Sequence, residues 1–201
     1  MKEFIYENLK SLELDFCDKI IELFETMKED QYKGVCSNGV STKINNNIKN
    51  TIDLHVDFIN NKNINEKWSN MINILKNELI KNIAIYQSNL KSNEFFFEFI
   101  HNKLSIETFL IHKYLKNEGK FTYHQDFLHD QTNDKYRILN YLWYLNDVEI
   151  GGETEFFGLY KIKPQKGKLV LFPSEWFFPH TGKIPISNDK YVISGWIYVD
   201  L

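Results

Sequence analysis

Near residue 104 the texture of this chain changes, and the segment beyond that point restricts its fold more than any other. Short runs rich in β-branched and aromatic residues alternate there with Gly, Pro, Asn and Asp turn signals. The runs are Ile106–Tyr114, Phe121–Phe127, Arg137–Leu145, Glu153–Phe157, Leu169–Phe172 and Tyr191–Val199. The turns fall at Asn117–Gly119, Asn133–Asp134, Gly151–Gly152, Lys166–Gly167 and Asn188–Asp189. Many short strands without intervening helices point to a sandwich or barrel.

The first half reads differently. Asp15 is in position to cap a helix from Phe16 to about Lys28, with Phe16, Ile20, Leu23, Phe24 and Met27 on one face. Residues 31–50 are polar, carry Gly34, Gly39 and Asn45-Asn46-Asn47, and read as a loop. A second helix is expected over about 65–90, where Trp68, Met71, Ile72, Leu75, Leu79 and Ile83 recur at helical spacing. Both stripes are core faces on this reading. The 201 residues, 43% hydrophobic, suffice for one sizeable domain. The expectation is a single domain, 1–201, in which about 1–103 form a helical support and about 104–201 a β core.

Charge and cysteine usage narrow the class. Lys and Arg number 24 against 27 Asp and Glu, a net charge of −3. That offers little to a nucleic-acid backbone. No apolar run approaches the roughly 20 residues of a membrane span, and acidic residues interrupt the N-terminus where a signal peptide needs an apolar core. Cys17 and Cys36 build no disulfide framework and are expected to be inert thiols. The expected setting is cytoplasmic, or a host cytoplasm, with no membrane and no nucleic-acid partner.

The chemistry-bearing residues lie in the β half. His124 and Asp126, two apart in FTYHQDF, share a strand face and can reach one metal ion together. His180 lies in FFPHTG, 54 residues on. Two His and one carboxylate on one face of a metal are the facial triad of non-haem Fe(II) oxygenases, which leaves coordination positions open. His-x-Asp alone arises often by chance. Ten residues after His180, Lys190 opens KYVISGWIYV, where Lys190, Ser194 and Trp196 share parity. A buried Lys requires an anion; the distal carboxylate of a dicarboxylate fits, with Ser194 as a second donor. His55, His101, His112 and His129 have no partner at ligand spacing and read as structural or exposed.

In this order and spacing, HKYLKNEGKFTYHQD, RILNYLWYLNDVEIGGETEF, IKPQKGKLVLFP and PHTGKIPISNDKYVISGWIYV resemble the Fe(II)- and 2-oxoglutarate-dependent dioxygenases, in particular the prolyl 4-hydroxylase-like branch. The resemblance runs from Phe109 to Leu201. It implies a mainly β fold with α, a double-stranded β-helix (jelly-roll, cupin-like) core packed on the N-terminal helices. It implies that His124, Asp126 and His180 are catalytic iron ligands, and that Lys190 binds the distal carboxylate of 2-oxoglutarate. Tyr114, Tyr144 and Thr154 match further cosubstrate-pocket residues, and Arg137 and Trp196 match positions near a peptide substrate. Tyr144 and Arg137 have opposite parity, so a bend near the start of their strand is needed if both are to face one pocket.

The implied cofactors are Fe(II), 2-oxoglutarate, O₂ and, as a reductant, ascorbate. The implied reaction decarboxylates 2-oxoglutarate to succinate and CO₂ and hydroxylates a prolyl residue of a peptide or protein. Leu142, Trp143, Val170 and Phe172 are candidate apolar walls, and the ligand imidazoles need acceptors for their second ring nitrogens. Phe121 stands where many relatives carry tyrosine, and the stretch from Asp126 to Arg137 is short. Both departures bear on the substrate more than on the chemistry. The competing readings are the same iron chemistry on another side chain, a free amino acid or a small molecule; nucleic-acid demethylation, which the charge disfavours; and a cupin-like protein that binds metal or dicarboxylate without turnover.

Overall fold

The computed structural model describes residues 2–37, 41–56, 62–92, 104–106, 109–131 and 133–200. Its first half contains β1 (Tyr6–Asn8), α1 (Leu14–Thr26), β2 (Tyr32–Lys33), β3 (Val35–Ser37), β4 (Thr42–Ile44), β5 (Lys49–Asn50), β6 (Ile52–His55) and the long α2 (Lys62–Ser92). The second half runs β7 (Leu104–Ile106), β8 (Leu110–Tyr114), β9 (Lys120–His124), β10 (His129–Asp130), β11 (Lys135–Tyr144), β12 (Thr154–Phe156), β13 (Tyr160–Ile162), β14 (Leu169–Pro173), β15 (His180–Gly182) and β16 (Lys190–Asp200).

These strands form the two antiparallel sheets of a jelly roll. The larger has the order β1-β14-β11-β16-β8-β6-β2, with β10 added to β11 and β7 to β16. The smaller has the order β13-β12-β15-β9-β5, and β3 and β4 make a separate hairpin. Alternation assigns each strand two faces. In β14, Leu169 and Leu171 join the core beneath the helices, while Val170 and Phe172 join a second cluster with Tyr114, Tyr144, Phe156, Ile162 and Val192 between the sheets. Because both faces of the larger sheet are covered, its strands read as unbroken apolar runs such as LVLF.

The helices cover the outer face. Cys17, Ile20, Phe24 and Met27 from the α1 segment meet Trp68, Leu75, Leu79, Ile83 and Tyr86 of α2 against that sheet. Each side chain of this size contributes roughly 1.5–3 kcal/mol when fully buried. The Trp68 indole N–H points at Met27 Sδ at 3.0 Å. A polar residue fixes how the N-terminus joins this layer. Buried Asn82 of α2 donates to Ser11 Oγ at 3.3 Å and accepts from Tyr6 Oη and Asn8 Nδ2 at 2.9 and 2.8 Å. Ser11 Oγ also accepts from Trp143 Nε1 at 3.0 Å, so β1, α2 and β11 share one hub.

Four features differ from the sequence expectation. Helix α1 starts at Leu14 with Glu13 at its N-cap, and Asp15 lies in the first turn, where its charge suits the helix dipole, rather than capping. Residues 31–50 are not a simple loop. They supply β2, which pairs with β6, β5, which pairs with β9, and the β3–β4 hairpin. These strands are two or three residues long; β2 and β5 are held extended by β6 and β9, and β3 and β4 by each other. With β1 on β14 and β6 on β8, the first half extends both sheets as well as covering one. Third, β10, β13 and β15 are too short to register as periodic runs. Last, α2 is longer at both ends than the periodic stripe, starting at Lys62 and ending at Ser92.

Gly195, in the middle of β16, pairs with Tyr141, and a Cβ there would lie 2.1 Å from the Tyr141 hydroxyl oxygen and 2.4 Å from Cζ. The ring covers the space that the glycine leaves. Gly195→Ala is therefore expected to cost about 1–3 kcal/mol, read as a lower urea midpoint at unchanged slope; an unchanged midpoint would show that Tyr141 moves aside freely.

Candidate active site

The site forms where the sheets face each other. β9 and β15 are neighbours in the smaller sheet, and their register sets His180 opposite His124, with ring centres 4.3 Å apart. Asp126 lies two residues beyond His124, past the end of β9. Its Oδ1 is 4.0 Å from His124 Nε2 and its Oδ2 is 3.4 Å from His180 Nε2. One ligand atom from each residue lies within 4.8 Å of the others. With bonds of about 2.1 Å, neighbouring ligands on one octahedral face are about 3 Å apart, so the group is close to a facial set.

The ring tautomers suit the same purpose. His124 Nδ1 lies 2.8 Å from Thr122 O, and His180 Nδ1 lies 3.2 Å from Phe178 O. A carbonyl only accepts, so Nδ1 carries the hydrogen in each ring and Nε2 is left with its lone pair toward Asp126. Those two backbone oxygens are the acceptors that the sequence leaves unidentified. Phe121 stacks on His124 at 3.5 Å between ring centres, and Phe172 packs edge-on against His180 at 4.8 Å. Burial and the neighbouring His180 push His124 down to about 4. Burial acts to raise the Asp126 carboxyl, but His124, His180, Arg137 and a hydrogen bond from Trp196 outweigh it and hold the group below its usual range. Two imidazole nitrogens and an ionised carboxylate are a donor set that fits a divalent ion such as Fe(II).

The other end of the cavity is marked by Lys190, whose residue is only 1% exposed. Its ammonium donates to Gly152 O at 2.9 Å and sits 3.8 Å above the Tyr114 ring. Burial pushes it down to about 7, opposed only by the charge of Glu153. Lys190, Val192, Ser194 and Trp196 of β16 all line the cavity, as do Tyr114 and Thr154. Ser194 hydrogen-bonds His112 Nε2 at 2.8 Å.

Other candidates sit one layer back. Tyr144 does not line the cavity; its hydroxyl donates to Thr154 Oγ1 at 2.6 Å from behind. Arg137 lies outside the lining as well. Its guanidinium stacks over the Trp196 ring at 3.7 Å, and its Nε donates to Tyr198 Oη at 2.8 Å. A register shift does lie between Arg137 and Leu139 near the start of β11, but neither Arg137 nor Tyr144 faces the cavity. Of the proposed walls, Leu142 and Phe172 line the cavity, whereas Trp143 faces the helices and Val170 packs between the sheets beside it. His129 pairs with Asp134, and His101 lies outside the described residues.

The sequence reading overlooked one group. Lys49 Nζ and His112 Nδ1 each lie 2.7 Å from a carboxylate oxygen of Asp53, and Lys49 and His112 reach the cavity wall. A lone aspartate within the alternating TIDLHV, four residues after Lys49, was the available signal, but nothing local names His112 as its partner.

Residues 109–198 match the family model of the 2OG-Fe(II) oxygenase superfamily. No curated protein matches the chain. Among solved structures, the chain is similar to a viral collagen prolyl hydroxylase from Paramecium Bursaria Chlorella virus-1 in its 2OG complex, at 18% identity and TM-score 0.62 over 97% of this chain and 96% of that one. It is similar to a Pseudomonas putida prolyl-4-hydroxylase at 17% identity and TM-score 0.62, over 96% and 91% of the two chains. A Trichoplax adhaerens prolyl hydroxylase, in complex with a hypoxia inducible factor peptide fragment, matches at 17% identity and TM-score 0.67 over 98% and 84%. Residues 109–198 thus match the 2OG-Fe(II) oxygenase family model, and the jelly-roll fold is similar to that of these prolyl hydroxylases.

Proposed function

We propose that the protein is an Fe(II)- and 2-oxoglutarate-dependent dioxygenase that hydroxylates a prolyl residue of a peptide or protein. One observation carries the reading: a His–Asp–His set at one end of a cavity between the sheets, and an ammonium buried at the other. His124, Asp126 and His180 would hold the iron through Nε2, a carboxylate oxygen and Nε2. The bound iron supplies oxidative decarboxylation of 2-oxoglutarate coupled to hydroxylation of an unactivated C–H bond. Lys190 holds the distal carboxylate, and the Tyr114 ring beneath it fixes the ammonium. Thr154, anchored by Tyr144, offers its hydroxyl to the same ligand. Phe121, Leu142 and Phe172 keep water from the reacting end.

A peptide substrate is supported by the surface beside His180. Trp176 and Phe177 are 70% and 51% exposed, and Phe157 packs on Phe178. Exposed aromatics of this kind suit an extended, proline-containing segment. The stack of Arg137 on Trp196 gives that substrate a cationic neighbour. Ascorbate is the reductant we assign for uncoupled cycles. Cys17, whose buried thiol is pushed up to about 11, fits a reduced, cytoplasmic setting. Among the described residues no helix is long and apolar enough to cross a membrane.

Anaerobic addition of Fe(II) and then 2-oxoglutarate is expected to produce a saturable visible charge-transfer band that His180→Ala abolishes; a folded, metal-loaded protein without the band would favour a binding protein instead. Lys190→Ala should weaken 2-oxoglutarate by about 2–3 kcal/mol, roughly 30- to 150-fold, and unchanged affinity would remove Lys190 from the pocket. Ligand-free protein carries a second signature of this lysine. The folded ammonium releases its proton at about 7, while the unfolded chain keeps it to about 10.4. Stability should therefore rise with pH between those values, and Lys190→Met should flatten the rise. Finally, a proline-rich peptide should stimulate succinate formation, and Arg137→Ala should lose that stimulation while retaining substrate-free turnover. Equal loss of both would make Arg137 structural.

A further inference from the structure

Behind Ser194 lies a chain of buried polar groups that the proposed reaction does not use. Lys49 of β5 bonds to Asp53 of β6 at 2.7 Å, Asp53 to His112 Nδ1 of β8 at 2.7 Å, and His112 Nε2 to Ser194 Oγ of β16 at 2.8 Å. Asp53 is 1% exposed and His112 is 6% exposed. Four strands from both sheets thus converge to place one imidazole behind one hydroxyl. A packed apolar core would fill this volume without the desolvation cost of three ionisable groups, so the arrangement calls for a role.

Hydrogen-bond accounting supplies one. Asp53 is held ionised: burial acts to raise its carboxyl, but His112 and Lys49 outweigh this and keep it well below the usual range. An ionised carboxylate only accepts, so His112 Nδ1 carries a hydrogen. With the ring neutral, Nε2 accepts the Ser194 hydroxyl hydrogen, and Ser194 shows the cavity only lone pairs. A carboxylate beside Ser194 would then meet an acceptor. With the ring protonated, Nε2–H donates to Ser194 Oγ and frees the hydroxyl hydrogen to donate into the cavity. The two states differ by one proton and by the sign of the group that Ser194 presents.

We propose that His112 and Asp53 are positioning residues that link carboxylate binding in this cavity to the uptake of one proton by His112. The link rests on the reading that 2-oxoglutarate occupies the cavity. The proton comes from solvent and forms the Nε2–H bond; the Ser194 hydroxyl turns from His112 to the ligand, and no bond of the ligand is made or broken. The groups facing His112 set the balance. Asp53 of β6 favours the imidazolium, Lys49 of β5 and Lys190 of β16 oppose it, and burial opposes it most, which keeps the ring neutral while the cavity holds no anion. A carboxylate held beside Ser194 brings negative charge that favours the imidazolium and gives Ser194 something to donate to. Lys190 is opposite Tyr114, two residues along β8 from His112, so both ends of this balance lie on adjacent strands.

The test measures 2-oxoglutarate binding to Zn(II)-loaded protein by calorimetry near pH 8, in buffers of different ionisation heat, together with the ¹⁵N shifts of His112. Lys190 contributes proton uptake in wild type and variants alike. Wild type is expected to take up roughly one proton more than Ser194→Ala or His112→Ala, and the Nε2 shift should move from the unprotonated to the protonated range on saturation. Binding with equal uptake in all three proteins, or an Nε2 shift that does not move, would overturn the inference and leave the cosubstrate reading standing. Failure of wild type to bind 2-oxoglutarate at all would overturn both. Ser194→Ala removes only a hydroxyl, so the comparison survives if His112→Ala does not fold.

Discussion

His124 and His180 meet because β9 and β15 are paired in one particular register, and the rest of the site hangs from that pairing. Side chains alternate along a strand, so a slip of one residue would turn one imidazole out of the cavity. The register is held from both sides. β12 pairs with the other edge of β15, setting Phe156 opposite His180, and the Thr181 hydroxyl donates to Phe121 O at 2.7 Å. Both imidazoles are then tied to backbone carbonyls two residues upstream, which leaves each Nε2 no choice of direction.

The larger sheet does the complementary work. β16 carries Lys190 at one end of its inner face and Trp196 toward the other, with Trp196 bonded to Asp126. One strand thereby carries both the buried lysine and the tryptophan that touches the His–Asp–His group. The helices contribute rigidity: they seal the outer face of the sheet with apolar contacts and one polar hub at Asn82 and Ser11, which keeps β11 and β16 from shifting relative to β14.

Buried charge is the other constraint. Lys190 has no carboxylate partner among the described residues, and burial lowers its proton affinity; the anion that would restore it is the one the proposed function supplies. Lys49, Asp53 and His112 are buried too, but satisfy one another and reach the same cavity through Ser194. The cavity is therefore lined by one buried lysine without a carboxylate partner and by one network already balanced, placed on neighbouring strands.

Much of this was legible in the residues. The strand runs after residue 104, the HQD spacing, the lysine ten residues after the second histidine and the parity of Lys190, Ser194 and Trp196 are all local, because a period of two carries face information directly. The two helical stripes were legible for the same reason at a period near 3.6. What local pattern could not hold was pairing between distant segments. In the stretch 31–50, β2 and β5 become strand because β6 and β9 offer hydrogen-bond partners, Tyr144 falls behind Thr154 rather than on the cavity wall, and Asp53, four residues after Lys49, finds His112 across a strand connection that no spacing encodes. The order of residues along the chain set which chemistry is present and which face of each strand bears it. Which of those faces meet was left to the folded sheets, because contact between residues far apart in the chain is governed by strand order and register.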